Sequence, residues 1–230
     1  MRLRRRASGW PVELSVEVDG GLLSLRPCAL RDEHRFLALR LANEDWLAPW
    51  DATVPEAPRA RMTSTAFRTM VRGLTREARA GTQLPWFLWF ADAAGAPSLI
   101  GQLTVGPIIG GSARSAGLGY WIDRDHAGRG LMTVAVAAAV DHLILERRLH
   151  RVEIAVRPEN VASLRVVEKL GLREEGLRER YLHIDGAWVD HRCFALTAED
   201  LGSGLLPRVP GSGPLRTRYL RDSPLTPTGA

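Results

Sequence analysis

From Leu131 to Leu145 the chain reads LMTVAVAAAVDHLIL, apolar on every face apart from Thr133, Asp141 and His142. A helix built from such a run has no side that water would solvate, so it must be enclosed by other elements. It is shorter than the roughly 20 apolar residues of a membrane span. Glu146, Arg147 and Arg148 follow, and cations suit a helix C-terminus. The rest of the chain has to be arranged around this buried helix.

Upstream, GGLLSLRPCALRDEHRFLALRLAN predicts a strand, a turn at Pro27 and a helix from about Asp32. A Pro-rich connection, WDATVPEAPRA, leads to a polar helix over about Arg59 to Ala80. PWFLWFADAAGAPSLIGQLTVGPI predicts two antiparallel strands turning at Gly95 and Pro97, and SAGLGYWID a further strand. Downstream, HRVEIAV is a β-branched strand. RPENVASLRVVEKLG has a Pro-led entry, Asn160 as a cap and Gly171 at the C′ position. LREEGLRERYLHIDGAWVDHRCFALT supplies two strands around Asp185–Gly186. The order β-α-α-β-β-β-α-β-α-β-β describes an α/β fold, a mixed sheet with helices on both faces. A flexible basic N-terminus (1–13) and a Pro/Gly-rich flexible tail (202–230) flank one domain, 14–201, with Leu215 to Leu220 as a docking patch within the tail.

The net charge of +5 is carried by scattered arginines, with Lys169 the single lysine, and suits anionic partners. Cys28 and Cys193 lack CxxC spacing, which excludes a disulfide framework and a zinc cluster. His34, His126, His142 and His150 show no metal-ligand spacing, so no metal is expected. The N-terminus lacks the apolar core of a secretion signal, and a cytoplasmic location without a membrane partner is the expectation.

Chemistry concentrates in IDRDHAGRGLMT, residues 122–133, where a strand feeds the buried helix through two glycines. The first N–H groups of a helix have no partner within it and stand at the positive end of its dipole, which favours a phosphate or pyrophosphate. Gly128 and Gly130 let the main chain approach such a ligand, and Arg124 and Arg129 can add charge. The loop is neither a Walker loop nor G-x-G-x-x-G, because the third glycine position holds Thr133. Asn160 and Ser163, at i and i+3, share one face at the start of the next helix and could reach between the two preceding strands. Each also reads as local capping chemistry.

Taken together, GYWIDRDHAGRGLMT, RPENVASLRVVEKLG and YLHIDGAWVDH resemble the GCN5-related N-acetyltransferase (GNAT) superfamily, over roughly Leu22 to Leu201. Within it, GRGLM, GxxxEG and DGxWxDH look most like the RimJ/RimL branch, closest to the RimJ type, which acetylates N-terminal alanine of a ribosomal protein. The resemblance implies a mostly antiparallel central sheet, splayed at the cofactor site, and acetyl-coenzyme A (acetyl-CoA) as cosubstrate. It places a pyrophosphate loop on Ala127, Gly128, Arg129, Gly130, Leu131 and Met132, continuing to Thr133. Ala127 departs from the usual Gln or Arg, and Arg129 or Arg124 is expected to cover the loss. It also implies a pantetheine arm along Trp121 and Ile122, a polar contact from Asn160, and Ser163 near the leaving sulfur.

The implied reaction is direct attack of an amine on the thioester. The glutamate base of the RimL type has no counterpart here; the matching position is about Tyr181 or Leu182, which makes Tyr181 a catalytic candidate. His183, Asp185, Asp190 and His191 are further candidates for base or amine binding. An α-amine with a pKa of about 7.8 is about 14% neutral at pH 7, against about 0.04% for a lysine, so an N-terminal acceptor needs the weaker base. An N-terminal amine is therefore the expected acceptor, and the resemblance implies that of a ribosomal protein, with ribosome association and a monomeric or homodimeric enzyme. No sequence-specific nucleic-acid binding is expected. Alternatives are a small-molecule amine or antibiotic as acceptor, with Trp46, Trp50, Trp86 and Trp89 lining its pocket, and a non-catalytic, acyl-CoA-sensing ribosome- or RNA-binding module.

Overall fold

The structure, a computed structural model, describes residues 9–56, 62–93 and 95–220. Its elements run β1 (Val12–Val18), β2 (Gly21–Pro27), α1 (Glu33–Ala42), α2 (Glu44–Leu47), α3 (Ser64–Ala80), β3 (Leu84–Asp92), β4 (Ser98–Ile109) and β5 (Ser115–Ile122). They continue α4 (Leu131–Asp141), β6 (Arg151–Val156), α5 (Val161–Lys169), β7 (Arg173–Ile184), β8 (Ala187–Thr197), α6 (Ala198–Leu201) and β9 (Arg216–Tyr219). One nine-stranded sheet has the order β7-β8-β6-β5-β4-β3-β2-β1-β9. Every neighbouring pair is antiparallel except β5 and β6.

Strand β3 explains how the two faces are filled. Side chains alternate across a strand, and Trp86, Leu88 and Phe90 enter the core built on α4 while Phe87 and Trp89 enter a second core with Phe36 and Phe67. Phe36 lies 5.1 Å from Phe67 and 5.0 Å from Phe87, ring centre to ring centre, which locks α1 and α3 onto that face. All of α4 is buried, as its composition requires, and a π-helical turn, His142–Glu146, completes the apolar run. The polar helix begins at Ser64, where Thr63 accepts the Ala66 N–H at 3.2 Å; residues 59–61 of its expected span lie outside the described residues.

The ends differ from expectation. Strand β1 starts at Val12 and buries Val12, Leu14 and Val16, so the fold begins inside the segment expected to be flexible. Residues 1–8 and 221–230 lie outside the described residues, but the tail from 202 to 220 is built into the fold. Leu205 and Leu206 are buried, and their N–H groups donate to the buried Asp141 carboxylate at 2.6 and 3.1 Å. Strand β9 then pairs with β1, from Val12 opposite Tyr219 to Ser15 opposite Arg216, with Arg216 on Glu17 and Arg218 on Glu13. Backbone pairing, the Asp141 carboxylate and the burial of Leu205 and Leu206 in the core hold the tail, none of which needs a hydrophobic period.

The sheet opens at its centre. Strands β5 and β6 pair only at Ser115–Arg151, Ala116–Val152 and Gly117–Glu153. Beyond that point β5 stays with β4 as far as Ile122 opposite Gly101, and β6 stays with β8 as far as Val156 opposite Arg192. The two strands part, and the elements that follow them, α4 and α5, begin at the mouth of the gap.

Candidate active site

Gly130 is the N-cap of α4 and sits at φ +79°, with no side chain capping the helix. Gly128 is at φ +76°. A Cβ on either would meet nothing within 4 Å, so the backbone angle selects glycine there, at about 1 kcal/mol for another residue. The Val134 N–H returns to the Gly130 carbonyl at 3.1 Å, which leaves the N–H groups of Leu131, Met132 and Thr133 without an acceptor inside the helix. They open on a cleft of about 430 Å³.

Trp121, Ile122, Ala127, Gly128, Gly130, Leu131, Met132, Thr133, Asn160 and Ser163 all line this cleft. The fold therefore brings together residues of β5, the loop, α4 and α5 that are up to 42 positions apart in the chain, from Trp121 to Ser163. Asn160 acts as the α5 cap, its Oδ1 accepting the Ser163 N–H at 3.0 Å, which leaves its amide N–H groups as what it can offer a ligand. Ser163 donates its hydroxyl to the Tyr120 oxygen at 2.9 Å. Burial pushes the Tyr120 phenol up to about 12, partly offset by that hydrogen bond, so it stays protonated at any working pH.

Three expected residues stand apart from the lining. The Arg124 guanidinium lies 6.0 Å from the centre of the Trp46 ring and that of Arg129 4.9 Å from the centre of Phe90, and neither arginine is part of the lining. Tyr181, on β7, is 39% exposed, beneath Arg178 and edge-on to His191 at 5.9 Å. It lies where the β7–β8 register shifts, between Arg178 and Leu182, and is not part of the cleft lining. The neighbouring base candidates also serve the hairpin. His183 Nδ1 is 2.8 Å from the Thr53 hydroxyl, Asp190 accepts the Arg180 N–H at 2.7 Å, and the Asp185 N–H donates to the Asp51 carbonyl at 3.0 Å. His191 holds the Val189 carbonyl at 3.1 Å through Nδ1, with its basicity lowered by burial.

Of the four tryptophans, Trp46 and Trp50 line the cleft, and Trp86 and Trp89 are buried in the two cores. The Trp46 indole donates to the Ile122 carbonyl at 3.1 Å, tying α2 to the end of β5. Tyr120, His126, Glu159, Arg165 and Lys169 also line the cleft and were not singled out from sequence. Arg165 and Lys169, at i and i+4 on the helix that carries Ser163, had a legible spacing. Tyr120 had none, because its partner lies 43 residues away.

A strand pair that parts above an uncapped helix entrance defines an acyl-CoA-dependent acyltransferase fold. The family profile described as "Acetyltransferase (GNAT) domain" matches residues 23–173, and the chain belongs to this family. The structure of Mycobacterium smegmatis RimJ in complex with CoA-disulfide has 38% identity and a TM-score of 0.79, covering 87% of this chain and 94% of that one. The [Ribosomal protein uS5]-alanine N-acetyltransferase of Escherichia coli is 28% identical over 174 residues, 76% of this chain and 87% of that protein. YjcK of Bacillus subtilis is 41% identical over 102 residues, a match spanning 44% of this chain and 56% of that protein. Acetyl-CoA is the cosubstrate of the family, and this cleft fits it. The open N–H groups of α4 suit a diphosphate, and the β5 edge from Leu118 to Ile122, unpaired on the β6 side, suits an amide-bearing arm.

Proposed function

We propose that the protein transfers acetyl from acetyl-CoA to the α-amine of a protein N-terminus, with the N-terminal alanine of a ribosomal protein as acceptor. The carrying observation is the parted β5–β6 pair, with the open end of α4 on one side and the Ser163–Tyr120 hydroxyl pair on the other. The activity named for the uS5-alanine relative supports this acceptor class. No helix among the described residues is long and apolar enough to cross a membrane, which suits work at the ribosome in the cytoplasm.

Bound acetyl-CoA supplies an activated thioester. The N–H groups of Leu131 to Thr133, with Gly128 and Gly130 allowing close approach, hold the diphosphate, and the edge at Trp121 and Ile122 with the Asn160 amide aligns the arm. Because Ser163 gives its proton to Tyr120, the phenol O–H is available to donate toward the sulfur as negative charge develops there. The N–C bond forms as the C–S bond breaks; the amine loses one proton and the thiolate gains one. Trp46 and Trp50 offer an apolar wall to the acceptor, and Glu159, ion-paired with Arg157 at 3.2 Å, adds a carboxylate to the lining. An acceptor already partly neutral at pH 7 needs little help from a base in the wall.

The test is intact-mass analysis after incubation with acetyl-CoA and a peptide panel. One acetyl on the α-amine of Ala-first peptides is expected. Acetylation confined to lysine side chains or to free small amines would overturn the acceptor assignment.

A further inference from the structure

His126 ends the short turn Arg124–His126 and lines the cleft beside Gly128 and Gly130. Its Nδ1 lies 2.7 Å from Asp123 Oδ2. The carboxylate is buried, and its Oδ1 accepts from Asn43 Nδ2 at 2.7 Å. Asn43, also buried, spends its other amide hydrogen on the Leu39 carbonyl at 3.0 Å and accepts the Arg124 N–H at 2.8 Å. Both carboxylate oxygens and all of the Asn43 amide are thus engaged in fixing one imidazole. The Phe90 ring meets it edge-on at 6.2 Å. The ring cannot turn without breaking this chain of bonds, so Nε2 is the nitrogen left for the cleft.

Position makes that nitrogen consequential. Arg124 and Arg129 do not line the cleft, and the charged side chains Glu159, Arg165 and Lys169 of its lining belong to the α5 side. Among the described residues that line the cleft, His126 is therefore the ionisable side chain on the α4 side, where the open N–H groups gather.

We propose that His126 is the side-chain cation for the diphosphate of the coenzyme, donating from Nε2 while Asp123 holds Nδ1–H. This rests on the coenzyme reading of the cleft given above. With Nδ1–H committed to the carboxylate, a neutral ring presents a lone pair at Nε2, which repels a phosphate oxygen; only the imidazolium presents N–H there. The charged groups around the ring are Asp123, Arg124 and Asp125 on its own turn and Arg129 on the loop. Strand β3 contributes the neutral Phe90 ring and the end of α1 the Asn43 amide.

The experiment is calorimetry of CoA binding. His126→Gln should bind CoA about tenfold more weakly than the wild type, the loss of one charge-assisted bond. It should bind S-acetylpantetheine, which lacks the diphosphate, as the wild type does. His126→Lys should restore CoA affinity. CoA affinity unchanged in His126→Gln, or equal losses for both ligands, would overturn the proposal and leave the coenzyme reading standing. A wild type that binds no CoA at all would remove that reading itself.

Discussion

Ser163 gives its hydroxyl proton to Tyr120 across 2.9 Å, joining the first turn of α5 to β5 just past the point where β5 leaves β6. Two elements with no backbone pairing at that depth are thereby held by one side-chain bond, and the Tyr120 O–H is directed by it. Ser163→Ala and Tyr120→Phe should each lower kcat about tenfold, the loss of one well-placed hydrogen bond. The double variant should fall little further, because the residues act as a unit. Steady-state kinetics beside CoA calorimetry checks this: equal losses in turnover and affinity would make the pair a binding feature.

Gly130 makes a sharper prediction because its environment is open. Gly130→Ala should cost only the strain of φ +79°, about 1 kcal/mol in thermal unfolding, since its Cβ meets nothing within 4 Å. Gly130→Glu adds a carboxylate to the mouth of α4 and should abolish CoA binding in a protein that still folds. Undiminished affinity would place the diphosphate elsewhere.

Asp141 holds residues 204–206 through two buried N–H groups. Asp141→Ala strands both donors, at about 1–3 kcal/mol each if water cannot reach them. The expected result is a lower melting temperature, with faster hydrogen exchange concentrated in residues 203–219. Uniform exchange over the whole sheet would show that the tail is not a separable unit.

His142 predicts an acid-sensitive fold. It is fully buried on α4's π-helical turn, edge-on to Trp86 at 6.2 Å, and burial lowers its pKa to about 4. Glu146 Oε2, 3.3 Å from Nδ1, pulls the other way and loses. The unfolded chain binds a proton on this ring below about 6.5 and the folded chain does not until about 4. Stability should therefore fall as the pH drops through that window, by up to about 3 kcal/mol. Burial also raises the Asp141 carboxyl, which acts in the opposite sense: its ionisation costs stability as pH rises above the unfolded carboxylate value. Urea midpoints at pH 7 and pH 5 for wild type and His142→Leu would separate the two, and the variant should lose less on acidification.

Where order comes from neighbours in the chain, it was legible. The buried run became α4, the β3–β4 and β7–β8 hairpins turn where Gly95 and Asp185–Gly186 mark them, and Asn160 caps α5. The loop glycines were legible too, because a positive φ is a property of one residue. Arg124 and Arg129 show the limit. Charge and nearness to the loop suggested them for the ligand, but not their aromatic neighbours Trp46 and Phe90, 78 and 39 positions away in sequence.

The amino-acid sequence by itself determined that one helix must be buried and that a glycine-bearing loop leads into it, since hydrophobic periodicity and backbone angles are local. Tertiary structure alone decided that the tail is a ninth strand, that Tyr120 meets Ser163, and that Asp123 aims His126 into the cleft. Each of those depends on a hydrogen bond or strand pairing whose direction is set only once the sheet has formed and β5 has parted from β6.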